Sequence, residues 1–268
     1  MGPIHAAFDR LRRTGHKALI PFVMGADPSP SATSQLLPAL EDAGADLIEV
    51  GIPFSDPLAD GPVIQAASAR ALKQGATPQR VLAAVAAARR RLHVPVVLLS
   101  YWNPIVQFGG RDSPVAFLRA ANDCGVSGVI VPDLPVEEGR PLQQAARQVG
   151  VAAIFLAAPT SPPERLRLIA RASDGFIYYV SVTGTTGARR ALPPGLVHGV
   201  RQLKLLTTKP VCVGFGISTP AQARAVAAIA DGVIVGSALI KAMEGAVGAS
   251  AARARARSFV ARLRAAIP

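Results

Sequence analysis

Eight short apolar runs recur along the chain with helical stretches between them, and this alternation limits the possible folds more than any other feature. Most of the runs are nearly continuously apolar and rich in Val, Ile and Leu, which is typical of parallel strands buried on both faces. Eight alternating strand and helix units predict an α/β fold whose sheet closes into a (β/α)₈ TIM barrel. The predicted strands lie near Ala18–Met24, Asp46–Gly51, Pro95–Ser100, Gly128–Pro132, Ala152–Leu156, Gly175–Ser181, Pro210–Phe215 and Gly232–Val235.

The helical segments add two details to this barrel. A helix over about Ile4–Arg13 precedes the first strand and is predicted to cover the bottom of the barrel. Two helices, Pro62–Lys73 and Pro78–Leu92, fit between the second and third strands, so we expect an extra helix after strand two. The 268 residues match the ~250 of one such barrel, and no linker divides them, so we expect a single domain over 1–268.

Composition and charge narrow the class of protein. Hydrophobic residues make up 50% of the chain and charged residues 17%, which excludes global disorder. The N-terminus has no long apolar run, and no uninterrupted stretch of ~18 apolar residues indicates a membrane span. Cys124 and Cys212 lie in apolar runs, which does not fit a disulfide framework. We therefore expect a soluble, cytoplasmic protein with no membrane association.

The formal net charge of +12 predicts attraction to phosphate groups, either of a nucleic acid or of a small substrate. The arginines are scattered over helical segments, and no aromatic residues interleave with them as a stacking platform requires. Solvated helix faces therefore explain the charge better than nucleic-acid binding does. A nucleic-acid-binding protein remains a competing hypothesis, and it predicts tight binding that weakens steeply with salt.

The second predicted strand carries a carboxylate towards the end of the barrel where active sites form. Side chains alternate between the two faces of a strand, so Ile48 and Val50 are predicted to pack under helices while Leu47 and Glu49 face the barrel interior. A buried Glu is rare without a partner or a purpose. Glu49 is therefore a candidate acid or base, and a Glu paired with an arginine is the alternative.

The loop after this strand offers two more carboxylates, Asp56 and Asp60. Asp60 could simply cap the helix that starts at Pro62, and Asp56 could shape a Ser-Asp-Pro turn. Their spacing alone does not decide between these structural interpretations and a role in chemistry.

Three later loops lie at the same end of the barrel, and the last two together indicate a phosphorylated ligand. The stretch Ser181–Arg190 has two glycines and three threonines, so it is either a lid or a permissive connection. Glycines follow strands seven and eight, and Ser237 opens the next helix, whose N-terminus favours negative charge. Loops after strands seven and eight recur as the phosphate site of this fold.

The other reactive side chains avoid this end of the barrel. We therefore expect neither Schiff-base chemistry nor a metal site, which leaves carboxylate acid–base chemistry on a phosphorylated substrate. The lysines are Lys17, Lys73, Lys204, Lys209 and Lys241, and the histidines are His5, His16, His93 and His198.

Five motifs in this order resemble the tryptophan synthase alpha chain family, and the resemblance covers nearly the whole chain. The first motif is long and specific enough that chance is not a serious explanation. One departure lies in the first strand, where a Thr or Ser near Met24 and a Gly-Asp pair are expected and the chain has Gly25-Ala26-Asp27. The motifs are Glu49–Gln65, Pro132–Pro135, Thr183–Arg189, Gly214–Ser218 and Gly236–Ala238.

The resemblance implies a lyase that cleaves indole-3-glycerol phosphate to indole and glyceraldehyde 3-phosphate. It implies that Glu49 is the general acid/base and that Asp60, rather than Asp56, stabilises the indole ring through its N–H. The implied phosphate site consists of Gly187, Gly216, Gly236 and Ser237. The implied indole pocket consists of Phe22, Leu99, Tyr178 and Phe215, with Thr186 in the lid.

The resemblance also implies a partner. In this family the alpha chain works with a beta subunit that holds pyridoxal phosphate, so we expect no cofactor in this chain and an α2β2 heterotetramer. Loops Pro53–Pro57 and Tyr101–Phe108 are candidate contact surfaces, unless they only fold over the barrel. A stand-alone lyase that releases free indole is the alternative, and an inactive barrel that only stimulates its partner is another.

Overall fold

The computed structural model of the chain describes residues 2–110, 113–180, 194–214 and 216–268. Within these residues nine parallel strands form one sheet, in the order β5-β4-β3-β2-β1-β9-β8-β7-β6. This is the predicted parallel barrel. The strands are β1 (Ala18–Met24), β2 (Ile48–Gly51), β3 (Val96–Leu99), β4 (Val126–Ile130), β5 (Ala152–Ile154), β6 (Leu156–Ala157), β7 (Ile177–Val180), β8 (Val211–Gly214) and β9 (Gly232–Val235).

The fifth predicted strand is two short strands, which is why nine strands are found among the described residues instead of eight. β5 pairs with β4, and β6 pairs with β7, so the chain closes the barrel as it passes through Phe155. The Phe155 N–H donates to the Ser173 hydroxyl at 3.1 Å instead of to a strand carbonyl, which interrupts the ladder at that residue. The prediction of one strand over Ala152–Leu156 was therefore wrong in continuity but right in position.

Twelve α-helices surround the sheet in the described part of the chain. The predicted extra helix after strand two is confirmed, although it ends at Ala88 rather than Leu92, because the chain turns there to enter β3 and Arg89 Nη1 donates to the Val94 carbonyl at 2.7 Å across the turn. The helices are α1 (Pro3–Thr14), α2 (Pro30–Asp42), α3 (Pro62–Lys73), α4 (Pro78–Ala88), α5 (Trp102–Val106), α6 (Pro114–Asp123), α7 (Arg140–Val149), α8 (Pro163–Ala172), α9 (Pro194–Leu206), α10 (Pro220–Ala227), α11 (Ser237–Met243) and α12 (Gly248–Arg264).

Two apolar layers hold the barrel together. The outer layer packs the helices against the strands and contains Ile48 and Val50, whereas the inner layer fills the barrel and contains Leu47. This is the alternation that was predicted for the second strand.

Helix α1 closes the barrel from below, as predicted. Its apolar side chains belong to the inner layer, and the rings of Phe8 and Phe176 lie 5.9 Å apart. The helix approaches so closely that a Cβ on Gly128 would lie 2.8 Å from Ile4 Cδ1. The opposite end, where the strands finish, is left for the active site. None of the helices in the described residues is long and apolar enough to cross a membrane.

Candidate active site

Glu49 lies in β2 near the carboxyl ends of the strands, level with Phe22 of β1 and Val97 of β3. Only 2% of its surface is exposed, and its Oε2 atom has no hydrogen-bond partner among the described residues. Burial, and secondarily the charge of Asp60, raises the pKa of Glu49 to about 8. In the described part of the chain, Glu49 is therefore not the arginine-paired residue of the alternative interpretation. It is a carboxylic acid that holds its proton at neutral pH.

Asp60 lies in the loop between β2 and α3, and its negative charge contributes to the raised pKa of Glu49. Burial raises the pKa of Asp60 to about 6, and a hydrogen bond from Tyr101 opposes part of this rise. Asp60 is therefore ionised at neutral pH while Glu49 is protonated. The N-cap of α3 is Gly61, with no side-chain cap bond, so the interpretation of Asp60 as a helix cap is wrong.

Tyr101 was missed as a functional residue, and it holds the Asp60 loop. It is buried, its hydroxyl accepts the Ala59 N–H at 2.9 Å, and the same hydroxyl hydrogen-bonds Asp60. Burial and the charge of Asp60 raise the pKa of Tyr101, so its hydroxyl stays protonated. Its position two residues after the end of β3 could have pointed to the active site, although the sequence does not show that Tyr101 contacts Asp60.

Three of the predicted pocket residues line the upper barrel. Phe22 is paired in register with Glu49, while Leu99 and Tyr178 pack at the open end of the inner layer. A Cβ on Gly51 would lie 2.8 Å from Phe22 Cζ, so a glycine there leaves room for the ring. Burial, with the charge of Glu49 second, raises the pKa of Tyr178. An apolar wall thus lies beside the two carboxyl groups.

The predicted phosphate loops lie on the neighbouring strands. Gly216 has φ +70°, a left-handed conformation that favours glycine. Gly236 is the N-cap of α11, and a Cβ on it would lie 3.4 Å from the Phe22 ring, so this helix start adjoins the apolar wall. The N–H groups of a first helical turn have no partner within the helix. The remaining predicted site residues Thr186, Gly187 and Phe215 lie outside the described residues.

The described residues also line two cavities, of about 220 Å³ and about 140 Å³, which lie at the other end of the barrel, where the strands begin. The larger cavity contains Lys209, whose ammonium group donates to carbonyl oxygens at the end of α8, such as that of Ala170 at 2.8 Å. This ammonium group caps the C-terminus of α8, where positive charge is favoured. Neither cavity contains Glu49 or Asp60.

A parallel barrel with a protonated and an ionised carboxyl group at the ends of its strands defines an enzyme of the (β/α)₈ class with acid–base chemistry. The family model described as tryptophan synthase alpha chain matches residues 8–267. The tryptophan synthase alpha chain of Carboxydothermus hydrogenoformans is 50% identical over 244 residues, which cover 91% of this chain and 90% of the relative. That of Geobacter sulfurreducens is 46% identical over 267 residues, or 100% and 99% of the two chains.

Solved structures agree with this assignment. The alpha subunit of Legionella pneumophila superimposes with a TM-score of 0.90 at 36% identity, over 99% of this chain and 98% of that one. A chain of Mycobacterium tuberculosis tryptophan synthase, in an aminoacrylate-bound form, gives 0.88 at 34% identity over 100% of both chains. The chain belongs to the tryptophan synthase alpha chain family. It has the alpha-subunit function in tryptophan biosynthesis, and its activity is that of a lyase.

Proposed function

We propose that the chain cleaves indole-3-glycerol phosphate to indole and glyceraldehyde 3-phosphate, with Glu49 and Asp60 as its catalytic residues. The observation that carries this proposal is the buried carboxyl group of Glu49, which has an oxygen without a partner among the described residues and a pKa raised to about 8. Such a group is poised to give and take a proton near neutral pH, where general acid–base catalysis is most effective.

The first step needs a proton on carbon 3 of the indole ring, because the bond to the glycerol chain breaks only when that carbon is tetrahedral. Glu49 enters the reaction protonated and donates this proton. The ring becomes a cation whose charge is shared with its nitrogen. Asp60, ionised because its pKa is about 6, accepts the ring N–H and stabilises the cation.

The second step breaks the carbon–carbon bond. Glu49, now a carboxylate, takes the proton from the hydroxyl group on the carbon next to the ring. The electrons of that O–H bond form the aldehyde, and the electrons of the broken bond restore the aromatic ring. Indole and glyceraldehyde 3-phosphate leave, and Glu49 is protonated again, so no water or cofactor is consumed.

Binding of the two ends of the substrate orients it for these steps. We assign the indole ring to the wall of Phe22, Leu99, Tyr178 and Phe215. We assign the phosphate to N–H groups of Gly187, Gly216 and Gly236 with the Ser237 hydroxyl, and we place Thr186 in a lid. The start of α11 beside Phe22 supports this arrangement, because helix N-termini bind phosphate and the ring would lie next to it.

We also propose that the chain works in the cytoplasm as one domain, in an α2β2 heterotetramer with a beta subunit that holds pyridoxal phosphate. Leu58 supports a partner surface next to the active site, because 93% of this apolar side chain is exposed two residues before Asp60. The loop Pro53–Pro57 belongs to the same surface, and Tyr101–Phe108 would extend it. Indole would pass from Glu49 and Asp60 to the partner.

The test is indole release from indole-3-glycerol phosphate by the purified chain, with and without a tryptophan synthase beta subunit. We expect slow release that rises strongly with the beta subunit and is lost in Glu49→Gln. Fast release of indole that is unchanged by the beta subunit would instead support a stand-alone lyase. No release in either condition would overturn the proposed reaction at this site.

A further inference from the structure

Ser68 is a buried polar residue in the middle of α3 that the proposed chemistry does not use. Only 1% of its surface is exposed. Its hydroxyl accepts the Phe54 N–H at 2.9 Å and donates to the Phe54 carbonyl oxygen, also at 2.9 Å. One side chain thus satisfies both backbone groups of a loop residue at the start of the loop between β2 and α3. Unpartnered, these two groups would carry a desolvation cost.

A continuous set of contacts leads from Ser68 to the Asp60 carboxyl group. The ring of Phe54 packs on the ring of Tyr101, with centroids 5.2 Å apart. The Tyr101 hydroxyl then binds both the Ala59 N–H and the Asp60 side chain. Each contact fixes the orientation of the next group, and Asp60 is the only one of them that meets the substrate in the proposed mechanism.

A second residue of α3 acts on the same loop. Gln65, three residues before Ser68 and so on the same face of the helix, donates from Nε2 to the Asp60 carbonyl oxygen at 2.9 Å. It also approaches the Pro57 carbonyl oxygen at 3.4 Å. Gln65 is exposed, so its bonds compete with water, whereas the bonds of Ser68 are sheltered. This difference in burial makes Ser68 the firmer of the two supports.

We infer that Ser68 is a positioning residue for Asp60, acting through the backbone of Phe54 and the ring and hydroxyl of Tyr101. This inference rests on the proposed role of Asp60. Without the Ser68 hydroxyl, Phe54 shifts to find other partners for its N–H and carbonyl groups, and the Tyr101 ring shifts with it. Asp60 then loses part of its hydrogen bond and its alignment with the indole N–H.

The variant Ser68→Ala tests this inference, and Ser173→Ala is its matched control. The Ser173 hydroxyl is also buried and also accepts the N–H of a phenylalanine, Phe155, but it lies at the other end of the barrel. Both variants remove a buried serine hydroxyl from a phenylalanine N–H, so we expect both to lower the melting temperature, Ser68→Ala somewhat more because it also frees the Phe54 carbonyl oxygen. Only Ser68→Ala should change the chemistry.

We expect kcat to fall about tenfold or more in Ser68→Ala with KM little changed, because small misplacements of catalytic groups are costly while the phosphate contacts remain. The Asp60 pKa should rise above its value of about 6, since the Tyr101 hydrogen bond lowers it. In Tyr101→Phe, adding Ser68→Ala should reduce kcat little further, because both substitutions interrupt the same set of contacts to Asp60.

The Asp60 pKa can be followed without turnover, by carbon-13 NMR of its carboxyl group, with Asp60→Asn for assignment. The ionisable groups around it are Glu49, Tyr101 and Tyr178, and Asp133 acts on Tyr101. An unchanged kcat and Asp60 pKa in Ser68→Ala, or an equal fall in kcat in Ser173→Ala, would overturn the inference. An inactive parent chain would overturn the proposed function instead, and the NMR titration would still decide the role of Ser68.

Discussion

Asp46, two residues before β2, and Glu49, within β2, are acidic residues with opposite surroundings. Asp46, at the entry to β2, accepts a hydrogen bond from Arg264 Nη1 at 2.9 Å and another from the Leu19 N–H at 2.9 Å. Glu49, only three residues later, has no cation beside it among the described residues and one oxygen with no partner. The chain therefore carries a structural carboxyl group just before β2 and a reactive carboxyl group within it.

Two other acidic residues are paired with cations, as Asp46 is. Asp231, before β9, meets Lys204 at 2.8 Å and the Val211 N–H at 3.0 Å. Asp27, which is buried near the active end, is held by two bonds from Arg70, at 3.0 and 2.7 Å. Being near the active end is thus not what leaves Glu49 reactive. Burial without a neighbouring cation is, because an uncompensated buried carboxyl group keeps its proton to higher pH.

Replacement of Glu49 should have the largest effect on activity. We expect Glu49→Gln to lower kcat by ~10²–10⁴-fold, since the amide neither gives nor takes the proton. Asp46→Asn, two residues before β2, is the control and should keep most of the activity. Steady-state rates of indole release measure both. Equal activity of Glu49→Gln and the parent chain would remove Glu49 from the mechanism.

The same substitution should change the pH dependence of stability. The pKa of Glu49 rises from 4.5 to about 8 on folding, so its contribution is fully present below 4.5 and is lost as pH rises through about 8. Between those values the free energy of unfolding should fall by a few kcal/mol, on the order of 1.4 kcal/mol per pKa unit before solvent relaxation reduces it. Glu49→Gln should flatten this decline in urea titrations at several pH values. An equal slope in both proteins would show that Glu49 is already ionised.

Loss of the cation beside Asp46 should affect stability alone. We expect Arg264→Met to lower the free energy of unfolding by about 1–3 kcal/mol, because it leaves a partly buried carboxylate without its partner. The exposed pair of Arg12 and Asp9, 3.4 Å apart, provides the control: Arg12→Met should cost less than ~0.5 kcal/mol. Denaturant unfolding measures both changes. A fall in kcat in Arg264→Met, measured under conditions where the variant is fully folded, would contradict the separation of the structural Asp46 from the reactive Glu49.

The smallest expected effect concerns Ala26, which has φ +65° beside Asp27. This left-handed conformation is costly for any residue with a Cβ. Ala26→Gly should therefore raise the free energy of unfolding by about 0.5 kcal/mol, after the greater freedom of glycine in the unfolded chain is subtracted. Thermal unfolding measures this gain. A loss of stability would mean that the Ala26 methyl group contributes more through packing than the backbone strain costs.

The sequence predicted the features that depend on local patterns. The alternation of Leu47 and Glu49 with Ile48 and Val50 indicated which side chains face the barrel interior, and the structure confirms it for Leu47. A helix before the first strand was also predicted to cover the bottom of the barrel, and α1 does so. Patterns of this kind repeat over a few residues, so they can be found without knowing the tertiary structure.

Features that depend on distant partners could not be predicted. The break at Phe155 follows from a hydroxyl on Ser173, 18 residues away. The role of Tyr101 depends on the loop of Ala59, 42 residues before it. Nothing in the sequence near either residue marks these pairings, since they arise only when the barrel brings separate strands together.

The protonation state of Glu49 tests the central claim most directly, through the infrared absorption of its carboxyl group in the folded chain. We predict a protonated-acid band at neutral pH that disappears as pH rises through about 8, that is absent in Glu49→Gln, and that remains in Asp46→Asn. A band that is missing at neutral pH in the parent chain, or that survives in Glu49→Gln, would contradict the claim that Glu49 is the uncompensated acid of the barrel.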